Sequence, residues 1–106
     1  IGVYAGKSPL SYKVRLKISA EKTPLGICTS SGKVGHSLSF GKADAVCVVS
    51  KSAILSDAAA TYLCNLVQNN DDIERVLDIG VAIEGVIGLV IINEDRLGVR
   101  GEIELA

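Results

Sequence analysis

Asp57, Thr61 and Asn65, in the segment SDAAATYLCN, stand four residues apart. On a helix that spacing stacks the three side chains along one stripe. Asp57 offers a hard carboxylate oxygen and Thr61 a hydroxyl one turn later, a ligand pair suited to Mg²⁺ or Ca²⁺ completed by waters and substrate phosphates. The same residues also suit a solvated helix surface on which Thr61 bonds back to its own backbone. Ala58, Ala59 and Ala60 leave room for another backbone or a ligand to come close, and Asp44 is a candidate third acid.

A second polar concentration lies upstream, in ICTSSGKVGHSLSFGKADAVCVV, residues 27 to 49. Gly26, Gly32, Gly35 and Gly41 let the backbone bend and approach a ligand, and the hydroxyls and amides around them offer donors to an anion such as phosphate. The spacing matches neither GxxxxGK[ST] nor GxGxxG, so a loop that satisfies its own backbone is an equal reading. His36 is the only histidine and its ordinary pKa lies near neutrality. It qualifies as a general acid or base, or as a structural side chain. A serine nucleophile is the poorer option, because no GxSxG elbow is present.

The elements that must position these groups follow from the patterning. Residues 1–4 read as a short strand, and KVRLKI, residues 13–18, alternates basic with apolar side chains as a half-buried strand does. LGICT re-enters the sheet before the polar loop, and ADAVCVVS, residues 43–50, is apolar enough to be interior. Ser50 or Ser52 caps a helix over residues 53–68, with Ile54, Leu55, Ala58, Ala59, Leu63, Leu66 and Val67 as its apolar face. DDIERVLDI is a second, shorter helix with Asp71 as cap and Glu74 completing a capping box. VIGLVIIN and GVRGEIEL flank the turn EDRL as a terminal hairpin. The order predicts an α+β unit, a mixed or antiparallel sheet packed against two helices.

Composition narrows the function classes. The 106 residues are 48% hydrophobic, with 11 basic against 12 acidic side chains and a net charge of −1. That balance lacks the basic surface nucleic acid requires, and four aromatic residues supply no stacking platform. Apolar runs break well short of the roughly 20 residues that span a bilayer. Cys28, Cys47 and Cys64 are widely spaced and set among apolar residues, as buried free thiols are, which fits a reducing, cytoplasmic compartment. The chain opens on Ile1 and contains no methionine, so it reads as part of a longer protein.

CTSSG, a histidine, a strand and then AILSDAAAT together resemble the C-terminal half of the ApbE superfamily. The match is closer to an uncharacterised ApbE-like family of prokaryotic proteins in which CTSSG, VGHSLSFGKADAV, DAAAT and DRLG follow in this order. The resemblance covers essentially residues 1–106 as one unit. It implies a tunnelling-fold-related domain whose N-terminal half is missing here, supplied on a separate chain or cut away, and a homo-oligomer. Flavin transferases of the ApbE type use FAD and Mg²⁺ to move FMN onto a protein threonine. By that resemblance Asp57 and Thr61 are metal ligands, Thr29, Ser30, Ser31 and Gly32 line the nucleotide site, and His36 assists proton removal. HSLSFGKAD departs from the transferases in lacking the acid–proline step that follows their histidine.

Overall fold

The computed structural model describes residues 16–17, 26–31 and 43–105. Strand β1 is Leu16–Lys17, β2 Gly26–Ser30 and β3 Ala45–Ser50; helix α1 is Ala53–Leu66 and α2 Ile73–Val81; β4 is Val86–Asn93, β5 Arg96–Gly101 and β6 Glu104–Leu105. The architecture is α+β. Strands β2-β3-β4-β5 form one antiparallel sheet in that order, and β1 pairs antiparallel with β6 in a small second sheet. The expected strand over residues 1–4 lies outside the described residues, as do all but two positions of KVRLKI.

Alternation along β3 sorts the interior into two layers. Val46 and Val48 face the helices with Leu89 and Ile91 of β4, and meet Leu63 of α1 and Val76 and Leu77 of α2. Ala45, Cys47 and Val49 face the other way, with Val90, Ile92 and Ile103. Every residue of β3 is buried. A strand covered on both faces must be apolar at both parities, which is why ADAVCVVS shows no period-two pattern. Each fully buried valine or leucine contributes roughly 1.5–3 kcal/mol of transfer free energy, and this strand and β4 together supply about half of the buried apolar residues.

Helix α1 starts where expected. Ser52 is its cap, accepting from the Leu55 amide at 3.3 Å. The start of the second helix differs from expectation. Asn69 accepts from the Asp71 amide at 2.9 Å, and Asp72 accepts from the amides of Gln68 and Asn69, closing a capping box on a 3₁₀ turn, Asn70–Asp72, that leads into α2. Glu74, expected in that box, is drawn instead to Arg100 of β5, which also lies 3.5 Å from Asp78. The terminal hairpin is tighter than EDRL: only Glu94 and Asp95 turn, Asn93 pairs with Arg96, and Glu94 takes φ 58°. GVRGEIEL is not one strand either. Gly101, at φ 97°, ends β5, because a Cβ there would meet the Ile87 carbonyl oxygen at 2.4 Å, and the chain then joins β1 through β6.

Asp72 makes one acid-sensitive contact. The Gln68 amide, followed by Arg75 and the Asn69 amide, holds its carboxyl below the usual range. A carboxylate stabilised in the folded state adds stability that is complete above its unfolded pKa and fades as pH falls through its folded one. Urea midpoints of the wild-type chain should therefore drop below about pH 4, and Asp72→Asn should start lower but lose less over that interval. Equal acid limbs for the two proteins would show that Asp72 adds nothing there.

Candidate functional site

The most tightly bonded polar group joins three elements. Ser56 Oγ, on α1, donates to the Gly26 carbonyl of β2 at 2.7 Å and lies 2.6 Å from Ser50 Oγ of β3. Ser50 Oγ also contacts the Ser52 carbonyl at 2.7 Å and accepts from the Ser52 amide at 3.2 Å. Ser50 and Ser56 are fully buried. The pairing register shifts between Val49 and Ser50, an irregularity of the kind that re-aims a side chain. A Cβ on Gly26 would lie 2.2 Å from the Ala53 nitrogen, so only glycine allows α1 to begin against β2. Sequence reasoning assigned Ser50 only a possible capping role and passed over Ser56. The usable signal was SKSAILS, in which Ser56 falls among the inward positions of an otherwise apolar helix face.

Thr29 and Ser30 do not line one surface. Cross-strand partners share a face. Ser30 pairs with Val46 and so lies on the helix side, whereas Thr29 pairs with Cys47 and bonds to it on the other side. Ser31 is half-buried and already has a polar partner. Gly32 and His36 lie outside the described residues.

Asp57 and Thr61 stand together, as their spacing implied, on the outward face of α1, both exposed. Ser56, Ala59, Ala60, Leu63 and Cys64 are the buried positions of that helix. Ile54 was expected on the buried face with Leu63, but nine residues of helix rotate by half a turn, and Ile54 is 84% exposed. Ala58 is exposed as well. Asp44, the candidate third acid, is buried, and its Oδ2 accepts from the Glu94 amide at 2.6 Å. It precedes β3, about 20 Å of strand from Ser50, whereas Asp57 belongs to the opposite end, where α1 begins. Among the described residues no three His, Cys, Asp or Glu side chains form a group that could hold a metal ion, and no helix is long and apolar enough to cross a membrane.

The three thiols are free, as expected, with Cys47 and Cys64 buried and Cys28 half-buried. Burial pushes the Cys47 thiol up, against a hydrogen bond from Thr29. Cys28 Sγ lies 3.6 Å from the Ala53 carbonyl oxygen, at the open side of α1. Thiolate fraction and access govern thiol reactivity.

The chain's residues 1–95 match a family described as AbpE bacteria. This chain belongs to that family. Among its relatives, the UPF0280 protein MJ1526 of Methanocaldococcus jannaschii is 41% identical over 108 residues, covering 97% of this chain and 44% of the relative. A UPF0280 protein of Methanococcus aeolicus is 42% identical over 107 residues, covering 97% and 43%, and one of Methanobrevibacter smithii is 41% identical over 106 residues, covering 96% and 44%. The chain thus spans less than half the length of these relatives. The resemblance to the flavin transferases is corrected by these matches: the near-complete alignment is to UPF0280 proteins, whose names state no activity. The missing acid–proline step after His36 is the local sign of the difference.

In the native chain, an aromatic disulfide reagent should modify Cys28 first, with Cys47 and Cys64 following only at the rate of global opening. Equal rates for all three, read by mass spectrometry, would contradict the packing around Cys47 and Cys64.

Proposed function

We propose that this chain is a non-catalytic structural scaffold that presents an association surface to other polypeptide. The observation that carries this reading is the setting of Asp57 and Thr61. They share the outward face of α1 with Ile54, Ala58 and Tyr62, while Ser50, Ser56 and Asp44 are engaged in bonds internal to the fold. One carboxylate and one hydroxyl hold Mg²⁺ only together with phosphate oxygens of a ligand. The described neighbours of that pair on α1 bring such a ligand no positive charge. An apolar patch on an exposed helix is instead the mark of a surface that another polypeptide covers.

Calorimetric titration with FAD, with and without Mg²⁺, distinguishes the readings. For this chain and for the full-length M. jannaschii relative, no saturable heat is expected under either condition, and Asp57→Ala should leave the unfolding free energy of the chain, from urea titration, within about 0.5 kcal/mol of wild type, as for exposed substitutions. Saturable, Mg²⁺-dependent binding that Asp57→Ala weakens would replace the scaffold with a nucleotide site.

A further inference from the structure

Strand β5 is an edge. Among the described residues nothing pairs with its outer side, where the main sheet ends in the order β2-β3-β4-β5. Its sequence, RLGVRG, has neither the proline nor the lysine that commonly blunts such an edge. Asn93 and Arg96 are paired across a two-residue turn, which makes them a hydrogen-bonded pair, and the Glu102 amide donates to the Ile87 carbonyl in the same phase. Gly98 and Arg100 therefore direct their backbone groups to β4, while Leu97 and Val99 turn theirs outward.

The side chains along that edge leave a charge imbalance. Arg96, Gly98 and Arg100 lie on the helix side of the sheet, because Gly98 pairs with Ile91 of the layer under the helices. Arg100 reaches both Glu74 and Asp78 of α2, so two carboxylates face one guanidinium. Its Nε is buried without a hydrogen-bond partner, 3.5 Å from Asp78 Oδ1. Arg96 makes no ion pair among the described residues. It stands about 13 Å along the strand from Arg100, too far to serve those acids within its own copy. On the opposite face Leu97 is 38% exposed beside half-buried Val99.

We propose that β5 of a second copy pairs antiparallel with this edge, about a two-fold axis at Gly98, and joins two four-stranded sheets into one. In that register Leu97 and the partner's Val99 exchange backbone hydrogen bonds through their outward groups, and their side chains form an apolar pair. Arg96 stands opposite the partner's Arg100, beside the partner's Glu74 and the partner's Asp78. Two arginines directly opposite each other would repel, but here each pair of guanidiniums meets a pair of carboxylates. That complementarity selects a second copy of this chain, and the two-fold axis supplies it twice. Because α2 packs over β4 and β5, its two copies come to lie two strand spacings apart, roughly 10 Å, a separation at which helices pack. The edge lies across the sheet from β2, against which α1 begins, so the inference goes beyond the scaffold reading and does not depend on what α1 faces.

Sedimentation velocity of the 106-residue chain over a wide concentration range, with amide hydrogen exchange read by NMR, tests the pairing. A concentration-dependent dimer is expected. The Leu97 and Val99 amides should gain protection as it forms, whereas those of Gly98 and Arg100 are protected throughout. Arg96→Glu should weaken dimerisation about tenfold and leave the unfolding free energy of the monomer unchanged, since Arg96 is exposed. Adding Asp78→Arg to Arg96→Glu should recover the dimer, because two acids again meet two bases. Added salt should weaken the wild-type dimer.

A monomer at every concentration overturns the proposal. So does a dimer whose Leu97 and Val99 amides exchange as fast as in the monomer, which assigns association to another surface, and so does a dimer indifferent to Arg96→Glu. Saturable FAD binding in calorimetry removes the scaffold reading and leaves this pairing standing, so the two fail separately.

Discussion

The fold depends on the close approach of α1 to β2 at Gly26. The Ser56 hydroxyl donates to the Gly26 carbonyl there, and Ser50 completes the link to β3. A fully buried hydroxyl pair costs free energy unless both members are bonded. Here Ser56 donates to the Gly26 carbonyl, while Ser50 accepts from the Ser52 amide and has one proton to give to either the Ser56 hydroxyl or the Ser52 carbonyl, so both buried hydroxyls are bonded. The absence of a side chain at position 26 is part of the same device, since any Cβ there would overlap the backbone of Ser52 and Ala53. The helix is therefore fixed at its first turn in both height and rotation. That rotation decides which of its residues look outward.

From this constraint the rest of the packing follows. With Ser56 turned in, Ala59, Ala60, Leu63 and Cys64 come over Val46 and Val48, and α2 completes the layer above Leu89 and Ile91. Glycine recurs where this second helix approaches the sheet: a Cβ on Gly98 would meet the Leu77 and Ile73 side chains at 2.6 and 2.7 Å. Arg100 adds an exposed clamp from β5 to Glu74 and Asp78 on α2, of small energetic weight because all three side chains meet water. The opposite layer, with Cys47, Val49, Val90 and Ile92, makes β3 and β4 two-sided strands. Asp57 and Thr61 are left outside both layers.

Much of this was legible from residue types. The apolar run of β3, the Ser52 cap and the order of strands and helices follow from hydrophobic patterning and cap chemistry, and these features are local. Several of the misread features depend on remote partners. Glu74 suited a capping box by spacing, but Arg100, 26 residues later, claims it, and Asn69 with Asp72 forms the box. GVRGEIEL alternates like one strand, yet Gly101 breaks it against Ile87 of the neighbouring strand. Asp44 looked like a metal ligand because an acid before a strand carries no sign of its partner, which is an amide 50 positions away. For the candidate site, spacing correctly put Asp57 beside Thr61. It could not say which side of the helix the pair faces, since that was set by the pairing of Ser56 with Gly26.

The link from Asp44 to Glu94 also bears on how the chain assembles. Glu94 adopts φ 58°, a left-handed conformation that costs a residue other than glycine about 1–2 kcal/mol. The β4–β5 hairpin is the most local pairing in the main sheet and, by sequence separation alone, the natural candidate to form by itself. Its turn is nevertheless held by a carboxylate that leads into β3. The hairpin thus reaches its final geometry only when β3 has docked alongside β4. A motif that is local in sequence is in this way bound into an all-or-none transition, and the pieces of the sheet lose the independence that would let them persist as a partly folded, edge-exposing species.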